Sequence, residues 1–253
     1  MLEGLVSRAM VLLPLTVLLL FPAMLLLLEA GRRLRNRKPV AERNGVIEGA
    51  VFSLFGLLLA FTFSGAIARF DAHRALLTEE ANNIGTAYLR LDLLPPEAQP
   101  PMRVLFRDYT ESRLHLFDAP GAEISPDTIR LQNQIWERSV RAAASGAPGS
   151  NPAVLLLPAV NSMINMTSTR QNAFNMHPPG LVLLLLVVFS CGSAFLAGYG
   201  TNIRHRDWVY PIALALAVTL TVYATTEIEY PRRGLLRFTH LDRGLVELRD
   251  SMK

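Results

Sequence analysis

The chain has 253 residues, of which 51% are hydrophobic and 18% charged, and its apolar residues come in long blocks typical of a membrane protein. A net charge of +4 does not indicate a nucleic-acid partner, because the arginines crowd at the ends of the apolar blocks, where lipid and topology account for them. The single cysteine, Cys191, excludes an internal disulfide framework.

Four apolar segments are each long enough to cross a hydrocarbon core of roughly 30 Å. The first, Met10–Leu28, is predicted to be a retained span rather than a signal peptide, because a basic cluster follows it in place of a cleavage site. The fold class predicted is all-α, a multi-pass membrane protein with four transmembrane helices and a helical layer outside the lipid. The other three segments are 45–68, 181–200 and 209–226.

The second apolar segment continues without a break into a charged, proline-free stretch that ends at about Leu91. Small residues recur along it at nearly every fourth position, and helices in lipid associate where small residues let backbones approach. We therefore expect one long helix whose membrane part presents one face to protein and whose remainder forms a stalk. These small residues are Gly45, Gly49, Ser53, Gly56, Ala60 and Ser64.

Four regions follow from this pattern. Residues 1–68 hold the first two spans and a basic loop, Gly31–Asn44. Residues 69–177 form the extramembrane layer, with helices expected at 102–117, 126–144 and 153–176, the second of them capped by Ser125. Residues 178–230 hold the last two spans, and 231–253 form an amphipathic tail expected to lie on the bilayer or on the stalks.

Enzyme signals are absent from the sequence: it has no HExxH, no GxSxG and no Walker loop. The five histidines lie far apart in the chain, without the spacing of metal ligands. We predict neither catalytic activity nor a metal or other cofactor.

Three acidic residues, Glu48, Glu227 and Glu229, lie at or near membrane depth, where carboxylates are costly and often functional. Two interpretations stay open. They are either interfacial carboxylates paired with a nearby cation such as Arg43 or Arg232, or groups that act in permeation or gating.

Ser53, Leu57 and Phe61 are spaced by four and share a helix face that leans toward Ser64 one turn later. In a monomer these positions form a packing stripe. In a ring of subunits they would form a hydrophobic constriction, which can gate ions by dewetting.

The stretch FTFSGAIARFDAHR, Phe61–Arg74, resembles the signature that follows the pore-lining helix of bacterial bestrophins. Phe61, Arg69, Phe70 and Arg74 match it, whereas Thr62 and Asp71 depart from it. The run with EANNIGTAYLRLDLLP and IEYPRRGLLR resembles more closely a bestrophin-like family of bacterial and plant membrane proteins.

The resemblance implies a homo-oligomeric, pentameric anion channel in the cell (plasma or inner) membrane, whose partners are its own copies, lipid and inorganic anions. It implies that the neck of the pore falls on Ser53, Leu57 and Phe61, with Ser53 making it wetter. No calcium-binding acidic cluster is matched, so calcium gating is not implied. The alternative function is a non-conducting membrane scaffold or sensor whose helical layer binds a partner or lipid.

The sequence supports two different orientations of the helical layer relative to the membrane. Bestrophin topology places the helical layer in the cytoplasm. Under the positive-inside rule, the density of basic residues in the Gly31–Asn44 loop places this loop in the cytoplasm and the helical layer on the other side of the membrane. The two sides carry equal numbers of basic residues in total.

Overall fold

A computed structural model describes residues 13–37, 45–115, 124–144, 152–176, 178–200, 208–229 and 243–252. Within these ranges the regular elements are all helical, which confirms the predicted all-α class. The helices are α1 (Leu13–Arg37), α2 (Gly45–Leu89), α3 (Gln99–His115), α4 (Pro126–Ala144), α5 (Pro152–Asn175), α6 (Gly180–Gly200), α7 (Val209–Glu229) and α8 (Arg243–Ser251). A single 3₁₀ turn, Arg90–Leu93, follows α2.

Three helices in the described ranges are long and apolar enough to cross a membrane, namely α2, α6 and α7. The first expected span, Met10–Leu28, lies only partly inside the described residues, where it belongs to α1. The predicted unbroken helix is confirmed, since α2 runs for 45 residues. The last span is longer than expected, because α7 continues past Thr226 to Glu229.

The prediction that residues 31–44 form a loop is wrong for their first half, because α1 continues to Arg37. Arginine is a good helix former, and Arg33 pairs with Glu29 one turn earlier at 2.9 Å. Arg35 Nη1 donates to the carbonyl of Tyr199 in the last turn of α6 at 2.8 Å. Cations at a helix C-terminus also interact favourably with the helix dipole. Residues 38–44 lie outside the described part.

The chain divides into two compact units. We call Met1–Phe70 with Pro178–Arg237 the membrane unit, and Asp71–His177 with Phe238–Lys253 the helical unit. The core of the membrane unit joins α1, α2, α6 and α7 through buried apolar side chains: Leu20, Met24, Phe55, Leu186, Ala194, Ala215, Val218 and Val222.

Backbones of α1 and α6 approach each other closely at two glycines of the membrane unit. A Cβ added to Gly198 would overlap the carbonyl of Leu28, and one added to Gly31 would overlap the carbonyl of Phe195. Only glycine fits at such a crossing, which is how helices pack tightly in lipid. The sequence alone did not predict this crossing.

The helical unit buries the apolar faces of α3, α4 and α5 against the end of α2. Met102, Leu105 and Tyr109 share one buried face of α3, as their spacing predicts. Helix α3 begins at Gln99, three residues before the predicted start, because prolines are tolerated in a first helical turn. At the start of α4, Ser125 Oγ accepts a hydrogen bond from the Thr128 amide at 3.1 Å, which confirms the predicted cap.

Of the C-terminal tail, the described part is α8, which packs against the other helices of the helical unit. Leu245 is 1% exposed and belongs to the core of this unit, and Leu248 packs beside it. Arg249 Nη1 also pairs with Glu111 of α3 at 3.0 Å. The tail positions Leu235, Leu236, Phe238 and Leu241 lie outside the described residues.

Candidate functional site

The candidate neck residues lie on a single exposed face of α2. Leu57 is 53% exposed and Phe61 is 68% exposed, and Ser53 and Ser64 are exposed as well. The opposite face carries Phe55, which is 6% exposed and belongs to the core of the membrane unit. A helical repeat of 3.6 residues places these two sets on opposite sides of the helix.

Small residues make the exposed face of α2 unusually open. A Cβ added to Gly45, Gly49 or Gly56 would meet no atom of the chain within 4 Å. Helix α2 is also the least covered of the three candidate spans, with 11% of its apolar window buried, against 22% for α6 and 33% for α7. The small-residue face predicted to meet protein therefore meets none within the described part of a single chain.

The signature residues separate into different environments. Arg69 Nε lies 2.9 Å from each carboxylate oxygen of Glu229, and Arg69 Nη2 lies 2.8 Å from Oε2. Phe70 is half-buried. The side chain of Arg74 is 62% exposed and only approaches Asp71 on its own helix, at 4.0 Å. The signature thus contributes one ion pair inside the membrane unit and one surface cation.

Two of the three acidic candidates are buried at the end of α7. Glu227 is 6% exposed and the Glu229 side chain 6% exposed, whereas Glu48 is half-buried in the first turn of α2. The cations suggested by the sequence, Arg43 and Arg232, lie outside the described residues. The described partner of Glu229 is Arg69, 160 residues away in the chain, so proximity in sequence gave no sign of this pair.

A cavity of about 20 Å³ adjoins the Arg69–Glu229 pair. Threonine hydroxyls in its wall are engaged with their own helices: Thr62 donates to the Leu58 carbonyl at 2.7 Å and Thr225 to the Thr221 carbonyl at 2.8 Å. A cavity of this volume holds about one water molecule, so the cavity is too small for an organic substrate. Its lining comprises Thr62, Arg69, Pro178, Val182, Leu183, Leu186, Thr225, Thr226 and Glu229.

Across the described ranges, no group of three or more His, Cys, Asp or Glu side chains is placed to hold a metal ion. What the described residues bring together in the membrane unit is an open apolar helix face and a buried ion pair. Such an arrangement can line a path or an interface.

Comparisons with known protein families and solved structures agree on one fold for this chain. A family model described as the bestrophin-like domain matches residues 15–239. The solved structure of a bacterial bestrophin homologue from Klebsiella pneumoniae, a single-substitution mutant, superimposes with a TM-score of 0.75 at 11% sequence identity. The match covers 94% of this chain and 95% of that one. None of the curated proteins compared with the chain gives a match.

Proposed function

This chain belongs to the bestrophin-like family, and we propose that it forms a homo-oligomeric, pentameric ion channel that conducts anions across the cell membrane. Four spans cross the membrane in each subunit, and α2 of each subunit lines the pore. Anion selectivity and the number of subunits come from the resemblance to bestrophins.

The observation that carries the proposal is the uncovered face of α2. Its apolar side chains Leu57 and Phe61 are more than half exposed in a helix whose other side is packed in the core. Lipid alone would favour large apolar side chains on such a face. The glycines at 45, 49 and 56 leave the backbone open instead, and this favours close approach by other copies of the helix.

In a ring of subunits, Leu57 and Phe61 would form two successive apolar rings, with the hydroxyls of Ser53 and Ser64 on either side. A narrow apolar constriction resists wetting, so its diameter controls ion flow without a charged gate. Glu48, one turn into α2, would then lie nearer one mouth of the pore.

Planar-bilayer recordings of the purified full chain test the proposal. We expect anion currents from the wild type and a severalfold higher conductance from Leu57→Ala and Phe61→Ala, because each truncation widens an apolar ring. Leu216→Ala is the matched control, since Leu216 is 47% exposed on α7 and should leave the current unchanged. Silence from the wild type and both neck variants would refute conduction.

The alternative, a non-conducting scaffold or sensor, draws support from the surface of the helical unit. Several large apolar side chains of that unit are more than half exposed, among them Leu89 at 69%, Val154 at 62% and Val104 at 59%. Such residues suit the binding of a partner or of lipid. Pull-downs with the full chain and with a chain lacking residues 100–176, together with a subunit count in mild detergent, distinguish the two functions.

A further inference from the structure

Helix α1 has two faces that differ in exposure along its described length. Leu20, Met24 and Leu28 lie on the buried face, and each is at most 4% exposed. The opposite face is exposed at a spacing of three or four residues, which is the repeat of an α-helix. We call this face the α1 stripe, and its residues are Leu19, Pro22, Leu26, Ala30, Arg33 and Arg37.

The chemistry of the α1 stripe changes once, from apolar to cationic. Its first four residues are apolar, with Leu26 72% exposed, and its last two are arginines, with the Arg33 side chain also 72% exposed. The 14 residues from Leu19 to Arg33 rise about 21 Å, which is about half of the 40–45 Å thickness of a bilayer with its headgroups. The stripe therefore matches one leaflet, with leucines at the depth of acyl chains and arginines at the depth of phosphates.

The end of α1 holds more positive charge than the described residues neutralise. Its last ten residues include four arginines and one glutamate. Glu29 pairs with Arg33 Nε at 2.9 Å, and Arg35 donates to a neutral backbone carbonyl. Arg37 is exposed and has no ion pair or side-chain hydrogen bond among the described residues. Three positive charges are left in excess, so this surface attracts anions.

The positions of the two outer arginines distinguish lipid binding from a topology signal. A topology signal needs basic residues in any arrangement around the helix. Arg33 and Arg37 instead continue the exposed apolar stripe, and side chains four residues apart are neighbours on a helix. Two guanidinium groups at this spacing bind one phosphate group, since each presents paired N–H donors that match its oxygens.

We propose that the α1 stripe binds an anionic phospholipid, with its phosphate at Arg33 and Arg37 and an acyl chain along Leu19 and Leu26. Ala30 lies between the two parts, and its small side chain leaves room for the glycerol backbone of the lipid. A zwitterionic lipid brings a second cation into the surplus of positive charge, so an anionic headgroup is preferred. The proposal rests on the membrane span proposed for α1 and not on conduction.

Thermal unfolding of the purified full chain in mild detergent tests the proposal, with phosphatidylglycerol or phosphatidylcholine added at equal concentration. Phosphatidylglycerol should raise the Tm by several degrees more than phosphatidylcholine, because a ligand that binds only the folded state stabilises it. Inorganic phosphate should not reproduce the rise, since it has no acyl chain. Arg33→Gln combined with Arg37→Gln should lose the rise.

The matched control is Arg130→Gln combined with Arg138→Gln, which removes the same charge from exposed positions of α4 and should keep the wild-type rise. If Arg33→Gln prevents folding by breaking the pair with Glu29, Arg37→Gln alone decides and should lower the rise. Equal rises with the two lipids, or an unchanged rise in the Arg33 and Arg37 variants, would overturn the proposal.

Cysteine cross-linking tests the competing occupant of the stripe, a second copy of this chain. In a Cys191→Ala background, Leu26→Cys should stay monomeric on mild oxidation, because acyl chains cover this position. Disulfide-linked dimers would show that another copy covers the stripe and would overturn lipid binding there. None of these measurements uses a current, so silence in the bilayer recordings refutes conduction alone.

Discussion

At the scale of single residues, Arg69 engages both carboxylate oxygens of Glu229, and this pair joins the end of the α2 span to the end of α7. Glu229→Gln should lower the free energy of unfolding by about 1–3 kcal/mol, because it leaves a partly buried guanidinium with a weaker partner. The decrease in the free energy of unfolding should lie near the lower end of this range, because the Arg69 side chain is 35% exposed and solvent weakens the ion pair. Thermal unfolding in mild detergent measures the change.

A double-mutant cycle separates this interaction from the rest of each side chain. Arg69→Met and Glu229→Gln combined should cost clearly less than the sum of the two single changes. Strict additivity would contradict the pairing. Arg74→Met is the matched control, because its side chain is 62% exposed and lies 4.0 Å from Asp71, and exposed pairs contribute about 0–1 kcal/mol.

Residue contacts of this kind could be predicted from the sequence only in part. The sequence indicates the membrane depth of Glu229 and the signature position of Arg69, each on its own. Their pairing depends on how α2 packs against α7, and no local pattern encodes that packing. The same holds for Glu80 of α2, which pairs with Arg113 of α3 and Arg170 of α5, because the three residues lie on three different helices.

At the scale of elements, α1 and α6 are held together by a backbone crossing at Gly31 and Gly198. Gly198→Ala should destabilise the membrane unit by about 1–3 kcal/mol, because the added methyl overlaps the Leu28 carbonyl and the helices must separate. The measurement is the Tm of the purified protein in mild detergent.

Gly192→Ala is the control for that substitution, since a Cβ at Gly192 of the same helix meets nothing within 4 Å. Alanine is the better helix former by about 1 kcal/mol, so this variant should be neutral or slightly stabilised. An equal loss of stability in both variants would contradict the close crossing.

Helix positions were the most predictable elements, because unbroken apolar blocks and the Ser125 cap are local signals. The basic stretch after the first span is predicted to be a loop, and for its first half that prediction is wrong for a physical reason. Its arginines are topology signals, but Arg33 and Arg35 also stabilise the last turns of α1 through Glu29 and the Tyr199 carbonyl. The repeat of small residues on α2 is visible in the sequence itself, whereas the crossing at Gly31 and Gly198 depends on how α1 and α6 meet in three dimensions.

At the scale of the whole molecule, the proposed pore depends on where the uncovered face of α2 points when copies assemble. Two environments are available to Leu57 and Phe61, which are the acyl chains of the bilayer and the axis of a ring. Exposure in one chain is the same in both, but the distance between equivalent residues of neighbouring copies is short only around an axis.

Cysteine cross-linking in native membranes distinguishes these environments, and the chain suits it because Cys191 is the only cysteine to remove. In a Cys191→Ala background, Leu57→Cys and Phe61→Cys should each form disulfide-linked dimers on mild oxidation, since copies around an axis bring each residue close to its equivalent. Phe55→Cys should stay monomeric, because Phe55 is 6% exposed and packs in the core of its own chain. If the two neck variants also stay monomeric while the protein purifies as an oligomer, α2 does not line the axis and the conduction path must lie elsewhere.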